Sequence, residues 1–475
     1  MDSARSSEVG LRGTGRPAPA DSNGRGPEPA NHWRVLGLLA LYKAVYFCLL
    51  CAALWLWPGF DESRRLAVQE RWFEPFGVSA AQPPGFARHF ATWDAQHYLF
   101  LSQHGYGREI PSRAFYPLWP LAMRAFSFLT GGNRLVAGVV LSNLLSLGAW
   151  LLFYDAVFRR FGRRAAVWGT LLLITFPGAL FFQFIYSESL FFLLLMLLWW
   201  ALERQRLGLA FAAAFVLPLA RGVGVFAVLP LAWYALRQWR QPSWEPSSET
   251  LSQTLSQTSS ETSSETSSEA SSDSAGLSPK VSDNVSDKGP KLAVRLHPSG
   301  RSSLRRAAAA LALVSAPVLG FVCVLLLMRL WTGNALAGIE AQKFWAAHSL
   351  SNLWDLPKFV EGYFSPTSWH DFRGSVLDRC AFTLLLFALP VIWRQGKDLA
   401  FWTLALGILP AMSGTFVSFT RFESMVFPLF IALAVLLTSS RAPLRRPWPA
   451  WLALAAFAVL HVSLLWRFVN FRWAG

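Results

Sequence analysis

The sequence predicts an all-α polytopic membrane protein, and three observations carry that expectation. Of its 475 residues, 53% are hydrophobic and only 15% are charged, where a soluble chain of this length carries about 25% charged residues. Mean hydropathy is positive, at +0.34, and the 23 tryptophans and 38 phenylalanines are residue types that gather at membrane interfaces. The apolar residues also come in long uninterrupted runs. A soluble helical protein with a rich core would explain the first two observations but not the third.

The runs can be taken in order. "VLGLLALYKAVYFCLLCAALWLW" at 35–57 carries a single charge, Lys43, over a length that crosses roughly 30 Å of hydrocarbon. Further apolar segments lie at 135–158, 165–185, 190–202, 207–220 and 223–236, then at 307–330, 381–393, 399–417, 425–438 and 448–466. Together they predict roughly 11 transmembrane helices, the shorter of them tilted or re-entrant. None alternates with a strand period, and an isolated strand leaves its backbone groups unsatisfied in lipid, so all are expected to be helical.

The remaining segments are polar. Residues 1–33 are Gly- and Pro-rich and are expected to form a disordered cytoplasmic tail with no signal peptide before the first span. Residues 241–306 contain the degenerate repeat "SSETLSQTLSQTSSETSSETSSEA". With almost nothing apolar to offset the entropy of ordering, they are expected to be a disordered cytoplasmic linker. The linker separates an N-terminal membrane bundle at 34–240, with a large loop at 58–134, from a C-terminal bundle at 307–475, with a second large loop at 331–379.

The formal net charge of +15 is distributed in short clusters between apolar runs, which excludes the long basic face of a nucleic-acid binder. Arg159, Arg160, Arg163, Arg164, Arg204, Arg206, Arg237, Arg240, Arg305, Arg306, Arg394, Lys397, Arg441, Arg445 and Arg446 all fall on one side of an 11-span topology. That side is expected to be cytoplasmic, together with the N-terminus. The loops left over, 58–134, 186–189, 220–222, 331–379 and 418–424, face the other way. The four cysteines lie in or beside apolar runs and are expected to be buried free thiols, the Cys48–Cys51 spacing notwithstanding.

Polar chemistry concentrates in these non-cytoplasmic loops. In "ATWDAQHYLFLSQHGYG", at 91–107, Asp94 has two readings. A carboxylate in a partly dry cleft accepts a proton from a hydroxyl; equally, an Asp at this point caps the helix that "AQHYLFL" begins. His97 and His104 are hydrogen-bonded loop residues or site residues, without metal-ligand spacing. "FIYSESLFFLLL" sets Ser187 and Glu188 at the mouth of two spans. An acid at membrane depth there implies a cavity or a partner, or else a helix-start role. Arg221 in "PLARGVGVF" and Arg421 in "SFTRFESM" run against the charge bias of their side. Each is expected to meet a specific anion, such as a lipid-linked phosphate held bidentately, or to snorkel to headgroups. "AFYPLWPLAMRAFSFL" reads as a helix lying in the interface. "GIEAQKFWAAH" adds Gln342 and Trp345, types that bind sugars by hydrogen bonding and stacking.

Taken together and in order, "WDAQHYLFLSQHGY", Glu109, "AFYPLWP", "FPGALFFQFIYSESLFFLL" and "LARGVG", with "AQKFW" in the second large loop, resemble the PIG-V family of GPI mannosyltransferase 2 type. The resemblance implies a GT-C glycosyltransferase that takes mannose from a polyprenyl- or dolichyl-phosphate carrier on the non-cytoplasmic face and delivers it to a glycolipid or glycan hydroxyl. Its Trp-Asp pair corresponds to Trp93 and Asp94. On this reading Asp94 is the catalytic base, and Trp93, His97, Glu109, Ser187, Glu188, Arg221, Gln342, Trp345 and Arg421 bind substrate. No metal or other cofactor is expected beside the lipid-linked sugar, because phosphate is already a good leaving group.

The chain departs from the family's usual Asn before the proline at Phe176-Pro177, and from Ser-Asn after the arginine, where it has Gly222-Val223. An Arg-rich, Lys-poor chain with a polar tail suits the plasma membrane of a bacterium, or the endoplasmic reticulum membrane in a eukaryote. Two rivals stand beside this reading. One is a GT-C transferase with a protein or cell-wall acceptor; the other is a polytopic lipid or sugar transporter, whose intramembrane acids would line a path.

Overall fold

The computed structural model describes residues 31–79, 83–107, 109–240, 300–345, 348–438 and 448–475. Among the described residues there are helices and short helical turns, and one isolated bridge, Ser368–Ser375, but no strand. In chain order the helices are α1 (His32–Leu56), α2 (Glu62–Trp72), α3 (Asp94–His104), α4 (Leu118–Phe126), α5 (Arg134–Thr175), α6 (Glu188–Glu203), α7 (Leu207–Ala220) and α8 (Val228–Arg240). Then follow α9 (Gly300–Thr332), α10 (Ala337–Glu340), α11 (Leu356–Phe364), α12 (Val376–Gln395), α13 (Lys397–Thr403), α14 (Leu409–Gly414), α15 (Phe419–Glu423), α16 (Phe427–Thr438) and α17 (Trp448–Val469). The protein is an all-α polytopic membrane protein.

Among the described residues five helices are long and apolar enough to cross a membrane: α1, α5, the 307–332 part of α9, α12 and α17; α7 and α16 are shorter apolar helices. Every apolar run of the sequence is largely helical, with three differences. The runs at 135–158 and 165–185 are joined in α5 and broken at Gly162, whose φ of 84° takes it out of the helical region. The second of them stops ten residues early, at Thr175, because Pro177 removes a backbone donor and holds Phe176 extended. The run at 399–417 is not one helix but α13, a π-helical turn at Leu404–Ile408 and α14.

Local chemistry starts the helices. Asn31, Asp61, Asn133, Asp355 and Ser375 each accept a backbone N–H from the first turn of α1, α2, α5, α11 and α12 respectively. The stretch "AFYPLWPLAMRAFSFL" forms α4, which buries Trp119 and Met123 completely and leaves Phe128 and Leu129 beyond its end exposed.

Residues to Tyr234 and from Leu311 form one compact unit, and residues 235–310 a second, of which the described parts are the end of α8 and the start of α9. The tail 1–30, most of the expected linker (241–299) and the basic loop 439–447 lie outside the described residues. Residues 300–306, expected in the linker, are helical. Contrary to expectation, the cysteines are free but not buried: Cys48 and Cys380 are exposed and the other two half-exposed. They sit on outward faces of spanning helices, where the surroundings are lipid and a thiol behaves as a small hydrophobe.

The break after α5 positions the site. Residues Pro177–Phe182 form a tight helical turn, and Gln183–Ser187 run irregularly and fully buried into α6. Irregular backbone at membrane depth needs partners, and a polar stripe on α5 supplies them. Ser142 donates to the Phe184 carbonyl, Asn143 to Gln183 O at 3.0 Å and Ser146 to Phe182 O at 3.0 Å. From α1, the buried Lys43 Nζ donates to Gln183 Oε1 at 2.6 Å and Asn143 Oδ1 at 2.8 Å, over the face of Trp150 at 4.2 Å.

Candidate active site

Four segments meet at a cluster of two acids and two arginines. Asp94 opens α3, Ser187 and Glu188 open α6, Arg221 follows α7, and Arg421 lies in α15. Arg421 Nη1 donates to Asp94 Oδ2 at 2.6 Å, and its Nε donates to Glu188 Oε1. Arg221 Nη1 pairs with the same Glu188 oxygen at 2.5 Å and reaches Ser187 Oγ at 3.3 Å, a hydroxyl that also accepts from Tyr98 Oη at 2.9 Å. The guanidinium of Arg421 stacks over Tyr186 at 4.5 Å and Phe181 at 4.9 Å, and that of Arg221 over Phe422 at 4.7 Å.

The acids differ in access. Glu188 has no exposed side-chain surface, whereas Asp94 keeps 20% and each arginine 11%. Two arginines against two carboxylates leave the cluster formally neutral. Burial pulls the Arg421 guanidinium toward its neutral form, but the Glu188 and Asp94 carboxylates outweigh burial and hold it charged. Glu188 Oε2 is buried with no hydrogen-bond partner.

The helix-cap reading of Asp94 is not met by this geometry. Trp93, not Asp94, is the N-cap of α3, and no side chain caps that helix start. The Asp94 carboxylate turns to Arg421 instead, while its backbone N–H donates to Tyr186 Oη at 3.2 Å. The outer arginines do not snorkel outward but pair with carboxylates of the chain itself, Glu188 and Asp94.

Other expected residues lie elsewhere. His97 is sandwiched between Phe73 (4.8 Å) and Phe115 (5.1 Å), is 2% exposed, and bonds Ser112 Oγ at 2.7 Å. Burial pushes its imidazole down to about 3, so it is neutral. Gln342 donates to Ala114 O at 3.0 Å, and Trp345 stacks on Trp72 at 4.6 Å with its Nε1 toward Pro111 O at 3.4 Å. These three join the second large loop to the first and are not among the residues of the acid–arginine cluster. Glu109 is exposed near Arg113, and His104 is exposed against Phe100. Trp93 packs against residues 471–473.

One site residue was missed. His348, half-buried, packs on Phe422 at 4.9 Å, a ring that Arg221 also contacts, and bonds Ser413 Oγ at 3.2 Å. Burial, with the Arg221 and Arg421 charges, lowers it to about 4. The sequence signal was its place at the end of "AQKFWAAH", in the only other large loop on that side.

This cluster of loop acids and opposed arginines is the setting for a comparison with known proteins. The family model described as Mannosyltransferase (PIG-V) matches residues 39–242. Over that span the chain is similar to the PIG-V family. The matched segment contains Asp94, Glu188 and Arg221, but ends before His348 and Arg421. The chain is 31% identical over 159 residues to the GPI alpha-1,6-mannosyltransferase 2 of Mus musculus, covering 31% of each chain. It is 32% identical over 143 residues to that of Cricetulus griseus, covering 28% of each. The match thus spans under a third of the length of these curated relatives. The PIG-V segment carries every contact of the cluster except those made from α15 and the second large loop.

Proposed function

We propose that the chain is a GT-C-type membrane mannosyltransferase that moves mannose from a polyprenyl- or dolichyl-phosphate carrier to a hydroxyl of a glycolipid or glycan on the non-cytoplasmic side. The observation that carries this is Arg421 bridging a reachable carboxylate, Asp94, and a buried one, Glu188. The similarity of residues 39–242 to the PIG-V mannosyltransferase model supports mannose as the sugar.

In the resting site the base is masked, since Asp94 spends its charge on Arg421. A mannosyl phosphodiester brings one negative charge of its own and competes for Arg421 and Arg221, the two guanidiniums built to grip it. Its arrival loosens Asp94 toward the acceptor. The acceptor oxygen then forms a bond to the anomeric carbon as the bond from that carbon to the phosphate oxygen breaks. The hydroxyl proton passes to Asp94, and the electron pair leaves with the lipid phosphate. The negative charge lost at Asp94 is gained at the phosphate, so the total is unchanged and Arg421 follows it from one to the other. Glu188 keeps both arginines oriented throughout. The reading requires no metal, because phosphate leaves as a stable anion and the arginines supply the positive field.

The test is to incubate purified protein with radiolabelled polyprenyl-phosphate mannose and a membrane extract, and to identify the labelled product. Label moved to a lipid or glycan is the expected result. Counterflow of substrate in proteoliposomes with no transfer would overturn the proposal in favour of transport.

A further inference from the structure

Trp93, immediately before Asp94, adopts φ 53° and ψ −123°, a region that favours glycine and that a residue with a bulky side chain enters only when its surroundings hold it there. It is also the N-cap of α3, where Ser, Thr, Asp or Asn normally secures the first turn, and its own side chain makes no cap bond, the Tyr186 hydroxyl accepting the Asp94 N–H alone. The acid placed to do it, Asp94, is diverted to Arg421. Something else must hold Trp93 in this conformation.

The residues after α17 do so. The Trp93 indole stacks on Phe471 at 5.0 Å with 22° between the rings, meets the edge of Trp473 at 5.2 Å and 89°, and donates from Nε1 to Arg472 O at 3.2 Å. This strap is itself held. Phe471 is fully buried and packs on Phe60 at 5.7 Å, Arg467 Nε donates to Trp473 O at 2.8 Å, and Phe372 meets Trp473 at 5.0 Å.

We infer that Phe471, Arg472 and Trp473 form a positioning strap that clamps Trp93 in its left-handed conformation and thereby aims the Asp94 carboxylate at the Arg421 side of the site. The inference rests on Asp94 acting as the base. The strap works through the backbone of one residue, Trp93.

The test uses the full chain, with polyprenyl-phosphate mannose as donor and the Asp94→Asn variant alongside. Replacing Phe471→Ala and Trp473→Ala together is expected to lower kcat about 10- to 100-fold, with donor KM changed less than about two-fold, since the base is misaimed while the phosphate grip is intact. Trp93→Gly reaches the same φ without a Cβ penalty. In that background the strap substitutions are expected to cost less than about two-fold, a coupling that loss of packing alone would not produce. Independently of activity, hydrogen–deuterium exchange of the peptide 92–98 is expected to rise in the strap variant, while that of 207–220 stays unchanged. Equal cost in both backgrounds, or unaltered exchange at 92–98, overturns the strap. Should Asp94→Asn keep wild-type transfer, it is the catalytic assignment that falls, and the exchange result still decides the strap.

Discussion

At Arg421 one guanidinium meets two carboxylates, Glu188 with no exposed side-chain surface and Asp94 with 20%. On the proposed function, unequal access separates their roles, because a base must reach its substrate and an anchor must not be washed by solvent. Asp94→Asn is therefore expected to reduce mannose transfer by about 10²–10⁴-fold with no loss of folded protein, read from transfer rate and thermal unfolding in detergent. Glu188→Gln leaves two buried arginines short of an anion, a change that costs about 3–5 kcal/mol. It is expected to lower the unfolding temperature and the yield, and wild-type stability in that variant would refute the anchor role. His97 offers a pH test. It is neutral in the fold, at about 3 against an ordinary 6.5, so between those values the unfolded chain binds the extra proton. Stability is full above pH 6.5 and falls as pH drops toward 3, with a limiting slope of about 1.4 kcal/mol per unit. His348, lowered to about 4, adds to the slope with the same sign. His97→Leu is expected to flatten it, measured by denaturant unfolding at pH 7 and pH 4.5.

Between elements, the site depends on close backbone approach. A Cβ on Gly178, in the turn after α5, would overlap the Thr420 carbonyl at the residue before Arg421. Backbone cannot step aside as a flexible side chain can. Gly178→Ala is expected to push α15 from the turn and cut transfer at least about 10-fold, with Asp94 and both arginines chemically intact; unchanged transfer would mean α15 is free to shift. A Cβ on Gly222 would meet the Tyr116 hydroxyl instead, the end of a side chain rather than backbone. The elements themselves were readable in advance, because apolar runs in lipid have helices as their outlet. The early end of the second run was less readable. "FPGALFFQFIY" is as apolar as a span, and only Pro177 marks the break, while Ser142, Asn143, Ser146 and Lys43 mark where the freed backbone groups find partners.

Across the whole chain, the five loops assigned to one side, from Asp94, Glu188, Arg221, His348 and Arg421, contribute to one cluster. Residues of the opposite set gather elsewhere. Asp155 accepts from His32 at 2.8 Å and Arg159 at 2.9 Å, and Arg160 pairs with Glu203 at 2.9 Å and Asp398 at 2.5 Å. That segregation follows the charge bias along the sequence. Its direction is tested by single cysteines in a chain freed of its own. With a membrane-impermeant maleimide on intact cells, Ser349→Cys is expected to react from outside and Arg164→Cys only after permeabilisation. The reverse pattern would invert the orientation.

By itself the sequence determined the all-helical membrane character, the two sets of loops and the short list that contained Asp94, Glu188, Arg221 and Arg421. Those follow from composition and order, which need no knowledge of what packs on what. Only the tertiary structure decided that Asp94 pairs with Arg421 rather than capping its helix, that His97, Gln342 and Trp345 join loop to loop, and that Trp93 is held by residues some 380 positions away. Such facts depend on contacts between distant segments, and neither periodicity nor local spacing encodes them.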